Sequence, residues 1–334
     1  MQTSLKSEFK TKWQGAKRFV AGELGVQVSY LENSVIPPWL HSFRVESKED
    51  FEHAIRSLET ALRIAGNRIQ SNESPLFDDA AIAKCKGATP DKLGLQSPCR
   101  GVAGVLARNL VEALDGPIGD VKEGAAHLRS ILLDRTQIIS LEDLLKLCWE
   151  KDIAVAHLQK APRHAPHAMA FNIGGRYAIV LMRNKKHQGW HLFDLAHELG
   201  HIMLGHLKPG DSVVDGEEFN HSSLEESEAN TFALELLAGE PESVKLTVFT
   251  NAATLLRSCK AESERFHVHP QWLMISVGHN WEPHRWGVVG KALNDGWPDE
   301  DALKTIEDVL KDQLREREVT QTHRSIIEAL AVRR

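Results

Sequence analysis

The 334-residue chain is short of cysteine, tyrosine and long apolar runs, and each scarcity removes a class of protein. Its four cysteines (Cys85, Cys99, Cys148, Cys259) form no CxxC pair, which excludes a dense disulfide framework and a cysteine-rich zinc module. No apolar stretch approaches the roughly 18 residues of a membrane helix, so no membrane partner is expected. Met1 to Gly15 carries Lys6, Glu8, Lys10 and Lys12 without an apolar stretch, and no signal peptide is expected. Lys and Arg number 40 against 46 Asp and Glu, a formal charge of −6 that argues against non-specific coating of nucleic acid. With 42% hydrophobic and 26% charged residues the chain is neither disordered nor fibrous. The expectation is a soluble, cytoplasmic globular protein with one large core or two to three modest ones.

Patterning divides the chain into three regions. Residues 1–118 read as mostly helical, with Phe51, Ile55, Leu58, Leu62 and Ile64 at helical spacing. A loop over 71–101, with Pro75, Pro90 and Pro98, interrupts this region. Phe19–Val26 with Leu31 has the spacing of the second half of a helix-turn-helix. Gly22 weakens its first helix and no base-reading polar set is visible, so a packed helical region is expected there. In 119–241 the pattern predicts a helix over Val121–Leu133, then a helix over Leu141–Lys151 entered through Ser140 and Asp143 as a capping box. A strand Ile153–His157 and a hairpin of Ala168–Asn172 with Arg176–Leu181 around Gly174-Gly175 follow. Helices are expected over Trp190–Leu204, closed by Gly205, and over Leu224–Leu237, stopped at Gly239. Residues 242–334 read as helical, with Leu303, Ile306, Leu310 and Leu314 on one face and Ile326, Ile327 and Leu330 packing the last helix. The fold class is therefore α+β, helix-dominated, with a short β-sheet in the central region.

The central region carries the chemistry. His197-Glu198-Leu199-Gly200-His201 is an HExxH, which on a helix sets both imidazoles on one face within reach of one metal ion. Glu198 between them is placed to act on water rather than to bind the ion. Zinc suits this set, and it needs a third protein ligand with a fourth position left open. The apolar flanks Leu192, Phe193, Leu195, Ala196, Leu199, Ile202 and Leu204 make a helix buried nearly all round, where unpaired His and Glu would be costly. A metzincin pattern fails, because Leu204 and Leu207 occupy the positions of its Gly and third His. Candidates for the third ligand lie in Glu225-Glu226-Ser227-Glu228. Glu226 shares a face with Ala229, Asn230, Ala233 and Leu237, where small alanines allow close helix approach and Asn230 can bond a ligand from outside. Glu225 and Glu228 are the alternatives.

Charge is unevenly spread, with eight Lys/Arg against three acids over 151–210 and nine acids without Lys or Arg over 211–240. A divalent cation would relieve part of the second block's self-repulsion. His206, His221, His267 and His269 are candidate oxyanion-stabilising groups. Trp272, Trp281, Trp286 and Trp297 fall close together among histidines, and are expected to form a small helical core.

Ala196-HELGH followed by Glu226-x-x-Ala229-Asn230-x-Phe232-Ala233-x-x-Leu236-Leu237 resembles the ImmA/IrrE metallopeptidases. Ala125–Arg129 and the strand Ala178–Leu181 also fit. The resemblance covers about 120–240, and it departs from the family where Ala238-Gly239 replaces a usual Met-Pro. It implies a small gluzincin-like peptidase core, with extra helical N- and C-terminal regions outside it. It also implies a Zn2+ site of His197, His201 and Glu226, with Glu198 as general base and Asn230 outside the ligands. The substrate implied is a helix-turn-helix repressor, cut in response to DNA damage or phage stress, with single-stranded DNA as a candidate activator. The competing expectation is a non-catalytic zinc-containing toxin–antitoxin or DNA-sensing module. The Arg176–Leu181 strand is expected to offer an open edge to the substrate. Cys99, in a loop beside Arg100, is a candidate inhibitory zinc thiolate, with Cys85 as the alternative thiol.

Overall fold

Gly174 and Gly175 adopt φ of 59° and 84°, the conformation of a two-residue hairpin turn, and they join the two strands on which the fold is laid out. The computed structural model describes residues 2–24, 26–62, 68–71, 81–86, 98–114, 121–161, 165–207, 224–240, 251–281 and 285–333. Only the backbone is described at 2–6, 38, 41, 70, 81–86 and 98–100. In chain order, α1 is Gln2–Glu23, α2 Val28–Tyr30 (continued by a π-helical Leu31–Val35), α3 Pro38–His41, α4 Lys48–Leu62 and α5 Arg68–Ser71. Strand β1 is Ala81–Lys86, followed by α6 Pro98–Leu110, α7 Ala125–Leu133 and α8 Leu141–Glu150. Then come β2 Ile153–His157, β3 Ala168–Ile173, β4 Arg176–Leu181, α9 Gln188–Met203 and α10 Leu224–Ala238. The chain ends in α11 Ala252–Phe266, α12 Pro270–Asn280, α13 Trp286–Gly296, α14 Ala302–Glu316 and α15 Gln321–Ala331. The fold is α+β and helix-dominated, and no described helix is long and apolar enough to cross a membrane.

The described strands form one sheet in the order β1-β3-β4-β2. β3 and β4 pair antiparallel from Ala168↔Leu181 to Ile173↔Arg176, and β2 lies parallel to β4 from Ile153↔Tyr177 to His157↔Leu181. Every residue of β2 is buried, the pattern of a strand covered on both faces. Two sequence expectations are corrected here. Strand β4 is central, so Arg176–Leu181 offers no open edge; the sheet's edges are β1 and β2. The span 71–101 is not all loop. Ala81–Lys86 joins the central region's sheet, antiparallel to β3 from Ala81↔Ile173 to Lys86↔Ala168. Pro98 opens α6, where its preset φ and missing N–H suit a first helical turn. The region boundary at 118 therefore does not separate β1 from the sheet it completes.

Helix entries follow local chemistry. The Ser140 side chain accepts from the Asp143 N–H and Asp143 returns the bond to Ser140, so α8 opens on the expected capping box. Helix α7 begins at Ala125 rather than Val121, because Gly124 is an extended N-cap. The segment after α1 packs inward through Leu31, Ser34 and Val35 and lies against α15, so it forms a packed helical region, not a projecting recognition helix. Ile306, Leu310 and Leu314 bury α14, and Ile326, Ile327 and Leu330 bury α15. Helix α9 is interior over nearly its whole length and packs against β1, β3, β4, α8, α10 and α12.

The turn from β4 into α9 is pinned by two buried histidines. His157 Nε2 lies 3.0 Å from the Arg183 carbonyl and His191 Nε2 2.7 Å from that of Lys185. Burial, then the neighbouring His191, pushes His157 down to about 4; burial also lowers His191. The folded state thus keeps His157 neutral while an unfolded chain takes up a proton below about pH 6.5. Stability is full above that pH and falls as pH drops toward 4, by about 3 kcal/mol from this residue. Denaturant melts between pH 7 and 4 should show this slope, and His157→Gln, which retains a donor, should flatten it. An unchanged slope in that variant would contradict the assignment.

Candidate metal centre

An α-helix places residues i and i+4 on one face, and α9 turns His197 and His201 the same way, both fully buried. Their Nε2 atoms are 3.2 Å apart. Glu226, in the first turn of α10, puts Oε2 3.4 Å from His197 Nε2 and Oε1 3.2 Å from His201 Nε2. The two helices meet closely because Gly200 has no side chain: a Cβ there would lie 3.2 Å from the Ala229 carbonyl and from the Phe232 ring. Among the described residues this is the one His/Cys/Asp/Glu group whose donor atoms can converge on a metal ion. Glu226, and not Glu225 or Glu228, is the acid brought to the imidazoles.

Groups outside the triangle decide which way the ring nitrogens face. His197 Nδ1 is 3.1 Å from Asn230 Oδ1, so this nitrogen donates and Nε2 turns a lone pair inward. On the other imidazole the ordering runs further. His206 Nε2 is 3.1 Å from the Glu228 carboxylate and must donate to it, which leaves His206 Nδ1 an acceptor. That atom is 2.9 Å from His201 Nδ1, which therefore donates, and His201 Nε2 also turns a lone pair inward. Burial, then the neighbouring His201, holds His206 below the usual histidine range, consistent with a neutral ring.

Two lone pairs and a carboxylate meeting at 3.2–3.4 Å repel one another unless a cation lies among them. The edges of a tetrahedral site with ligand distances of about 2.0–2.1 Å are about 3.3–3.4 Å long. The donor set and its spacing therefore fit a zinc-type ion with three protein ligands. Burial raises the Glu226 carboxyl, but hydrogen bonds from His197 and His201 outweigh this and hold it well below the usual carboxylate range. Glu198 is fully buried on α9 between the two histidines.

His206 lies beyond the end of α9, whose C-cap is Leu204. Gly205 has φ of 74°, and the chain closes in a Schellman turn, with His206 N–H on the His201 carbonyl at 2.9 Å and Gly205 N–H on that of Ile202 at 3.0 Å. The turn folds His206 back onto His201. The other oxyanion candidates serve elsewhere: His267 is the left-handed C-cap of α11 and His269 the N-cap of α12, while His221 lies outside the described residues. Cys99 sits in the first turn of α6, not in a loop, and Cys85 on β1; both side chains lie outside the described residues. Arg129 plays a part that spacing did not reveal. Its guanidinium bonds the carbonyls of Leu236 (3.0 Å), Leu237 (2.6 Å) and Phe266 (2.7 Å), capping α10 and α11 together.

Residues 153–242 match the family model Peptidase_M78, the IrrE N-terminal-like domain. This segment is an ImmA/IrrE-family metallopeptidase domain. Searches of curated proteins and of solved structures find no match to the chain. The matched segment holds β2, β3, β4, α9 and α10, and with them the whole donor triangle.

The outer bonds make a measurable difference to metal affinity. His206→Phe and Glu228→Gln should each weaken zinc binding by about ten- to a hundred-fold in chelator competition, since partners of ligating histidines contribute on that scale. Glu226→Gln should weaken it more, and Glu225→Gln should leave it unchanged. Loss of affinity in Glu225→Gln with retention in Glu226→Gln would move the third ligand.

Proposed function

We propose that the chain is a zinc-dependent endopeptidase that cuts a partner helix-turn-helix repressor. The observation that carries the reading is the triangle of His197, His201 and Glu226, with Glu198 buried on the same helix. Zinc held by three protein ligands supplies Lewis acidity toward a substrate carbonyl and toward water. His197 and His201 offer neutral Nε2 lone pairs because their Nδ1–H groups donate to Asn230 Oδ1 and His206 Nδ1. Glu198 is the general base: its carboxylate takes the proton from the attacking water and delivers it to the leaving amine nitrogen. Buried placement keeps bulk water from competing for that proton. A purely structural zinc site has no need of an acid beside an open coordination position, which favours catalysis over a non-catalytic zinc module. The repressor as substrate, DNA damage or phage stress as the trigger, and single-stranded DNA as activator rest on the ImmA/IrrE resemblance.

The test is Glu198→Gln in the full chain. The amide keeps shape and hydrogen bonding but cannot accept the proton, so zinc content and melting temperature should match the parent while cleavage falls by three orders of magnitude or more. The assay incubates the metal-loaded chain with the adjacent gene's product, with and without single-stranded DNA, and reads cleavage by mass spectrometry. Turnover retained in Glu198→Gln would overturn the mechanism.

A further inference from the structure

A cavity of about 420 Å³ opens beside the metal centre, between α9, α10 and α12. Two of its lining residues touch His197 of the donor triangle. Asn230 lines the cavity and holds His197, and Phe193 lines it with its ring centroid 6.3 Å from that of His197. Trp190, Trp272, Leu234 and Ile275 supply much of the remaining wall. The wall is braced from behind, since Trp190 packs on Trp286 at 5.5 Å between ring centroids.

Arg183 and Asp194, which line the cavity with His167 and His279, pair with each other. Arg183 Nε is 2.6 Å from Asp194 Oδ2 and one Nη 3.2 Å from Oδ1, a bidentate pair whose acid is 1% exposed. The guanidinium also lies 5.0 Å from the Trp190 ring centre. A charged guest would have to compete with this pair, with only His167 and His279 beside it, and would lose its hydration. An aromatic guest gains edge and face contacts with Trp190, Phe193 and Trp272.

Resting on the metallopeptidase reading, we infer that this cavity is the substrate's side-chain subsite, selecting a large uncharged side chain, aromatic before aliphatic, at a residue flanking the cut bond. Selectivity then depends on α12, which lies outside the matched domain, so the C-terminal region is part of the recognition surface. Ser276 and Asn280 add polar groups at the cavity that can meet a tyrosine hydroxyl or an indole N–H.

Amino-acid hydroxamates separate the two levels of the argument, because the hydroxamate ligates the metal and the side chain probes the cavity. Zinc-loaded full-length protein is titrated with glycine, aspartate and phenylalanine hydroxamates, read by calorimetry. The phenylalanine compound should bind about ten- to a hundred-fold more tightly than the glycine one, the range set by burying one such side chain, and the aspartate compound no more tightly than glycine. Ser276→Phe, or Leu234→Trp should the first variant not fold, should erase the phenylalanine advantage while leaving zinc content and glycine hydroxamate binding unchanged. Equal binding of phenylalanine and glycine compounds, or an advantage that survives filling, would overturn the subsite. Failure of every hydroxamate to bind the protein would instead overturn the metal-centre reading beneath it.

Discussion

Two inward-facing imidazole lone pairs and one carboxylate, 3.2–3.4 Å apart at the junction of α9 and α10, are the constraint around which this molecule is arranged. Such a cluster is unfavourable on its own, because desolvated like-signed atoms have nothing to balance them. It persists because the surroundings leave the donors no other arrangement. Asn230 fixes one ring, the Glu228–His206 pair fixes the other, and the bare backbone at Gly200 lets α10 press against α9. A cation bound there would relieve the repulsion, and part of its binding energy would become stability of the helix pair.

Support for that pair comes from well outside the matched domain. Arg129 of α7 ties the ends of α10 and α11. At the start of α9, Gln188 accepts from the Leu141 N–H at 3.0 Å and donates to Glu300 at 2.7 Å, while the Lys186 carbonyl accepts from Ala302 N–H at 2.8 Å. The N-terminal region enters through β1 on β3, and through Asn109 of α6, whose Oδ1 is 2.8 Å from His323 Nδ1 of α15. The flanking regions thus act as a brace for the helix that carries His197 and His201.

What the sequence disclosed was local. The HExxH, the Ser140 capping box and the Gly174-Gly175 turn are each decided by residues within a few positions of one another, and helix-face arithmetic selected Glu226 from three acids. Pairing between distant segments was not legible. Nothing in Ala81–Lys86, flanked by prolines, announces an edge strand for β3, and nothing in Ile153–His157 says that it will cover the outer side of β4. His206 was obscured by a different effect. Helical face arithmetic stops at Gly205, where a left-handed residue reverses the chain, so a histidine past the helix end is returned to it.

X-ray absorption at the zinc edge of the zinc-loaded full chain tests the central claim most directly. The account predicts one zinc per chain with a shell of nitrogen and oxygen alone at about 2.0–2.1 Å, and outer scattering from two imidazoles. A sulfur shell at about 2.3 Å, or scattering from fewer than two imidazoles, would contradict it.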